Sequence, residues 1–70
     1  MKTKFSERLK ELRLENGLTQ LELAKALGCT PNAISHWENR GKEPNYYTLV
    51  QLAIALKSST DYLLGLKAFD

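Results

Sequence analysis

The 70-residue sequence is poor in residues that crosslink chains, hold metals or cross membranes. It carries one cysteine, Cys29, and one histidine, His36. A single cysteine excludes an internal disulfide and fits a reducing, cytoplasmic compartment. A zinc site needs more nitrogen and sulfur ligands than this pair supplies. Cys29 therefore reads as a small turn residue, and no cofactor or metal is expected. No apolar run approaches the roughly 20 residues of a membrane span, and the opening "MKTKFSERLK" lacks the apolar segment of a secretory signal. "GLTQ" and "GCTP" lack the Gly and Lys spacing of a phosphate-cradling loop. Glu7, Glu11 and Glu15 form an i, i+4 row interleaved with Arg8 and Lys10, which reads as a solvated helix face. With no catalytic constellation in view, an enzyme is not expected. Valine and isoleucine are scarce while leucine dominates, which favours helix over sheet.

Charge of one sign is also missing. Ten basic and eight acidic residues leave a net charge of +2, so a nucleic-acid-binding role must rest on where the charges sit, not on their sum. The apolar fraction of 43% and the charged fraction of 26% fit a globular domain rather than a disordered tail. A chain this short buries only about 60% of the surface it exposes when unfolded. It has room for a single domain, residues 1–70, and none for an enclosed active site beside the core.

What is present is helix punctuation. Phe5, Leu9 and Leu12 form one stripe of a first helix over about Thr3 to Asn16, and Asn16-Gly17 stops it. Thr19-Gln20-Leu21-Glu22 is a capping box. It opens a second helix whose buried side is Leu23, Ala24 and Leu27, and Gly28 ends that helix. Thr30 is a good N-cap, and Pro31 suits a first helical position, where its missing N–H would be unpaired anyway. Two helices joined by so short a turn meet at a steep angle, which marks a helix-turn-helix over about residues 19–39. "GKEPN" makes residues 40–45 a loop. A fourth helix covers about Tyr46 to Leu56, with Leu49, Leu52, Ala53 and Leu56 at helical spacing. A short fifth contains Tyr62, Leu63 and Leu64 and ends at Gly65. The expected fold is all-α, a compact bundle of five helices.

The third helix, "TPNAISHWENR", poses the functional question. At about 100° per residue, Ala33, Ile34 and Trp37 fall within one arc. Asn32, Ser35, His36 and Asn39 fall on the opposite side, with Arg40 at its edge. Such an uncharged, hydrogen-bonding face serves either to read base edges in a DNA major groove or simply to meet water.

The run "GLTQLELAKALGCTPNAISHWENRGKEP…LVQLAIALKSSTDYLLG" resembles the lambda-repressor/Cro-like helix-turn-helix family of bacterial and phage transcriptional regulators, over about Phe5 to Leu66. The specific parts are Leu18-Thr19-Gln20 with Glu22-Leu23-Ala24, Leu27-Gly28, Ile34-Ser35 with Trp37-Glu38, the Gly41/Pro44 loop, and Ala53 with Leu56 before "DYLLG". The resemblance implies a five-helix domain whose third helix enters the major groove while the second crosses the backbone. It further implies sequence-specific binding of double-stranded DNA by a repressor-type regulator, working as a dimer on two half-sites. On this resemblance Thr30, Pro31, Asn32, Ser35 and His36 match base-reading positions. Pro31 departs from the polar residue often found there and offers only a ring for a thymine methyl. Gln20, Asn39, Arg40 and Lys42 match positions that contact phosphates, Tyr47 at the start of the fourth helix is a further candidate through its hydroxyl, and Arg13 and Glu38 match a structural ion pair between the first and third helices. At least one of the Tyr46 and Tyr47 rings is equally a candidate for core packing. Leu63, Leu64, Leu66 and Phe69 either supply the dimer surface or close the core. The alternative function is a protein-interaction module of the same fold, antitoxin-like or adaptor, which the modest net charge also allows.

Overall fold

The structure, a computed structural model, describes residues 3–68. Five helices follow in order: α1 (Lys4–Glu15), α2 (Gln20–Leu27), α3 (Pro31–Asn39), α4 (Tyr46–Ala55) and α5 (Thr60–Leu63). Each begins at a residue whose side chain accepts a backbone N–H that the helix itself leaves unpaired. These caps are Thr3, Thr19, Thr30, Asn45 and Ser59. At α2 the full capping box forms, the Thr19 hydroxyl accepting from Glu22 N at 3.0 Å and the Glu22 carboxylate from Thr19 N at 2.8 Å. Because Ser59 is a cap, α5 starts two residues earlier than the spacing of Tyr62 to Leu64 alone indicates.

The helix ends are equally local in cause. Gly28 closes α2 in the left-handed region at φ 71°, and Cys29 N donates to Ala24 O at 2.9 Å. That single left-handed residue lets α3 begin three residues later at a new angle. Lys57 takes the corresponding role after α4 at φ 56°, with Ser58 N bonded to Ala53 O at 2.9 Å. A Cβ in that region is strained, and glycine is the usual occupant. Asn16 ends α1 and joins two helix C-termini, donating from Nδ2 to Leu12 O at 2.8 Å and to Leu56 O at 3.2 Å.

One apolar core holds the five together. Phe5, Leu9 and Leu12 of α1 meet Leu23 and Ala24 of α2, Ile34 of α3, Leu52, Ala53 and Leu56 around α4, and Tyr62 and Leu63 of α5. Leu18, Leu27, Trp37 and Leu49 pack on its margin. The α2 and α3 helices pack on each other, α1 backs α3, and α4 backs α2. The consequence is that α3 is supported from behind by two helices while its other side faces outward. The α5 helix is fastened to α1 by polar groups as well: Arg8 donates to the carbonyls of Tyr62 at 2.7 Å and Lys67 at 2.5 Å. Its guanidinium lies 4.2 Å from the Tyr62 ring centre. The Tyr62 hydroxyl donates to Glu11 at 2.6 Å, and this bond above all holds the phenol above its ordinary pKa. Glu11 is therefore a partner of α5 and not merely part of a solvated row. No helix of the described residues is long and apolar enough to cross a membrane.

Candidate nucleic-acid interface

The α3 helix is set by an apolar anchor and two backbone ties. Ile34 is completely buried and Trp37 packs at the core margin. Thr30 Oγ1 accepts from Ala33 N at 3.3 Å, and the Ser6 hydroxyl on α1 donates to the Trp37 carbonyl at 2.6 Å. With that side held, the opposite side carries Asn32 and Asn39, both exposed, and Ser35 and His36, both half-buried. Thr30 and Pro31 are exposed at the start of the helix, and Arg40 and Lys42 just beyond its end. Asn39 Nδ2 donates to Ser35 Oγ at 3.3 Å, so these two side chains stiffen one another across one turn. Thr30, Pro31, Asn32, Ser35 and His36 thus share one helix segment, the first turn and a half of α3.

The Arg13 and Glu38 side chains form a buried pair between α1 and α3. Arg13 Nε and Nη2 donate to the two Glu38 carboxylate oxygens at 2.7 and 3.2 Å, and Nη1 donates to Leu18 O at 2.7 Å. Glu38 is 2% exposed. The bidentate geometry, with a third N–H satisfied by a carbonyl, is what a buried ion pair needs to offset its desolvation. Gln20, at the first position of α2, joins the pair: its Nε2 donates to Glu38 Oε1 at 3.2 Å. The spacing of residues gave no sign of this third member, because it depends on how α2 crosses α3.

Burial decides two alternatives that the sequence left open. Tyr46 and Tyr47 are 84% and 66% exposed, so neither ring packs in the core. The side of α4 that faces inward is taken by Leu49, Leu52 and Ala53, and both tyrosines lie off that arc. Leu63 is completely buried and closes the core, so it is no part of a dimer surface. Leu64 and Leu66 are exposed, and Phe69 lies outside the described residues.

A feature the sequence reading passed over is the outer side of α4. Tyr46, Val50, Ile54 and Tyr47 are all exposed, and at about 100° per residue they share one arc. The signal was present: α4 has no charged residue, unusual for a helix with an open face. Tyr46 and Leu64 border one hollow together with Phe5, Pro44 and Leu49, so the apolar arc continues onto the end of α5. Cys29 is half-buried in the α2–α3 turn, and burial pushes its thiol pKa up.

The architecture defines a helical bundle built around a packed α2–α3 pair joined by a short turn, with α3 presenting a neutral polar face. The chain belongs to the helix-turn-helix family, whose pattern matches residues 9–63. It is 43% identical over 60 residues to YqaE of Bacillus subtilis (strain 168), an uncharacterized HTH-type transcriptional regulator, covering 86% of this chain and 52% of that protein. Among solved structures it is similar to the P22 c2 repressor protein in complex with a synthetic operator. That match has a TM-score of 0.81 and 40% identity, over 86% of this chain and 91% of that one. It is also similar to the hydroxypropylphosphonic acid epoxidase from S. wedmorenis, with a TM-score of 0.80 and 35% identity, over 87% of this chain but 32% of that one. The chain spans about half the length, or less, of the curated relatives it matches. The reading of the chain as a binding domain of the lambda-repressor-like kind, and not an enzyme, stands with that family.

Proposed function

We propose that this domain binds double-stranded DNA sequence-specifically, as the reading head of a repressor-type transcriptional regulator. In this reading α3 enters the major groove, and the observation that carries it is the outward arc of Asn32, Ser35 and His36 on a helix clamped from behind by Ile34. Asn32 can pair bidentately with an adenine, His36 can donate or accept, and Ser35 can do either. Thr30 adds a hydroxyl at the N-terminal edge, and Pro31 an apolar contact. Gln20, Asn39, Arg40, Lys42 and the Tyr47 hydroxyl are the phosphate contacts. Gln20 has the further help of its place at an α-helix N-terminus, where unpaired N–H groups and the helix dipole both favour an anion. The P22 repressor, a protein of the same fold, is seen on its operator, which supports the assignment by analogy.

A dimer on a palindromic operator completes the proposal. One α3 reaches only a few base pairs, and two half-sites one helical turn apart, about 34 Å, are the usual solution. The exposed Leu64 and Leu66, with the α4 arc of Tyr46, Val50 and Ile54, are the surface for a second copy. An uncharged helix face meets its own copy without like-charge repulsion, and α4 carries no charge.

The same uncharged arc is what a protein-interaction module, antitoxin-like or adaptor, would use. The presence of this fold within about a third of an epoxidase chain illustrates that the fold alone does not decide. Fluorescence anisotropy with a labelled duplex over 50–300 mM salt separates the readings. A DNA-binding domain loses affinity linearly in log–log form as salt rises. Absent or salt-independent association favours the protein-interaction module.

A further inference from the structure

We infer that Glu38 is a positioning residue for Gln20, fixing which end of the Gln20 amide is offered to the DNA backbone. The inference rests on the DNA-binding reading above and adds a residue that orients one member of its phosphate-contacting set. A glutamine amide has two faces of opposite character: its nitrogen donates two hydrogen bonds and its oxygen only accepts. A phosphate only accepts, so it is attracted by one end and repelled by the other. A glutamine free to flip at a helix N-terminus presents the wrong end part of the time.

Glu38 removes that freedom. Both of its carboxylate oxygens accept from Arg13, at 2.7 and 3.2 Å, and a carboxylate so engaged accepts only. It therefore tolerates the Gln20 nitrogen, seen at 3.2 Å, and repels the Gln20 oxygen. The bond uses one of the two N–H groups on Nε2 and leaves the other for a second acceptor. Arg13 is essential to the arrangement in turn. It pins both carboxylate oxygens and balances a negative charge that would otherwise stand beneath the phosphate site. The half-buried Gln20 thus receives its orientation from a pair that is itself nearly sealed from water, Arg13 at 7% and Glu38 at 2% exposure. The core ion pair and the backbone contact become one unit running α1 to α3 to α2.

The test uses the whole 70-residue chain and a mixed-sequence duplex of about 20 base pairs, since a phosphate contact does not require a preferred sequence. Side-chain amide NMR of the free chain is expected to show one of the two Gln20 Nε2 protons protected from exchange and the other not. On adding duplex, the unprotected signal shifts and the protected one stays. Gln20→Ala is expected to weaken binding about twentyfold, within the range for a hydrogen bond to a charged group. R13M/E38L removes the pair without stranding a charge, which preserves folding. In that background Gln20→Ala is expected to cost less than in the native chain, because a flipping amide keeps only part of its contact, and in R13M/E38L itself neither Gln20 Nε2 proton is expected to be protected from exchange. The same loss from Gln20→Ala in both backgrounds overturns the inference. So does a native chain in which neither Gln20 Nε2 proton is protected from exchange, a measurement that requires no variant to fold. Tighter binding by R13M/E38L also overturns it, since Glu38 would then be holding Gln20 back. A native chain that binds no duplex at all sinks the DNA reading itself, while a failure confined to Gln20 and Glu38 leaves that reading standing.

Discussion

Gln20, Arg40 and Lys42 are proposed to touch phosphates, yet they differ in charge, and that difference is measurable. A cation at the backbone displaces condensed counterions and so contributes to the salt dependence of binding, whereas a neutral amide displaces none. Arg40→Ala and Lys42→Ala are each expected to lower the slope of log affinity against log salt by about 0.9. Gln20→Ala should shift the whole line down in parallel and leave its slope unchanged. Anisotropy titrations at several salt concentrations check this, and a flattened line for Gln20→Ala would remove it from the phosphate set. These roles were legible in the sequence only through positions matched to a family. The contrast between the two sides of α3 was legible from periodicity alone, because a 100° step separates Ile34 and Trp37 from Asn32, Ser35 and His36. The Gln20–Glu38 bond was not. It joins residues 18 positions apart and exists only once two helices cross at the right angle.

At the scale of elements, the caps at Thr19 and Thr30 were readable from the sequence, while those at Thr3 and Ser59 appeared only in the structure. Each is a short-range contact, typically three residues from hydroxyl, amide or carboxylate to backbone N–H. The box at α2 also has a pH signature. The Glu22 carboxylate accepts from Thr19 N, and that bond, with the Thr19 side chain next, holds its pKa below the ordinary value. A depressed folded-state pKa means that the unfolded chain binds the proton more readily. The stabilisation is therefore complete above the ordinary glutamate pKa of about 4.3 and is lost as pH falls through the lowered folded value. Glu22→Gln keeps a bonding partner for Thr19 N but cannot titrate. The native chain should consequently lose more thermal stability than Glu22→Gln between about pH 5 and pH 3, as read by circular dichroism melts. Equal losses would show that the α2 box is not formed in solution. What the elements concealed was the end of α4. Lys57 sits where glycine is expected, and no local pattern announces a lysine in the left-handed region. The outer arc of α4 was concealed for a different reason: reading for one buried stripe leaves a second apolar stripe unasked for.

The whole molecule is small, 28 × 25 × 22 Å along its principal axes, and that size bears on how it works. Half-sites about 34 Å apart bring two such bodies, with their side chains, within contact range. The neutral arc of α4 and the exposed Leu64 and Leu66 are then the available surface for the meeting. Within one body, the outward face of α3 depends on parts far away in sequence. Ile34 is gripped by a core drawn from all five helices, Ser6 ties the far end of α3 to α1, and Arg13 and Glu38 lock the same two helices through charge. That division explains why fold class could be read from composition and punctuation while the site could be read only in outline. Element identity is set locally, but a site is set by how elements meet. The central claim is that this supported face reads nucleobases, and selection of binding sites from a randomised duplex pool tests it most directly. The native chain is expected to enrich a consensus with two related half-sites. Asn32→Ala should lose preference at one position per half-site, by about 1–3 kcal/mol against the native consensus, while binding random duplex unchanged. A pool that emerges without consensus from the native chain, or an identical consensus from Asn32→Ala, would contradict the account.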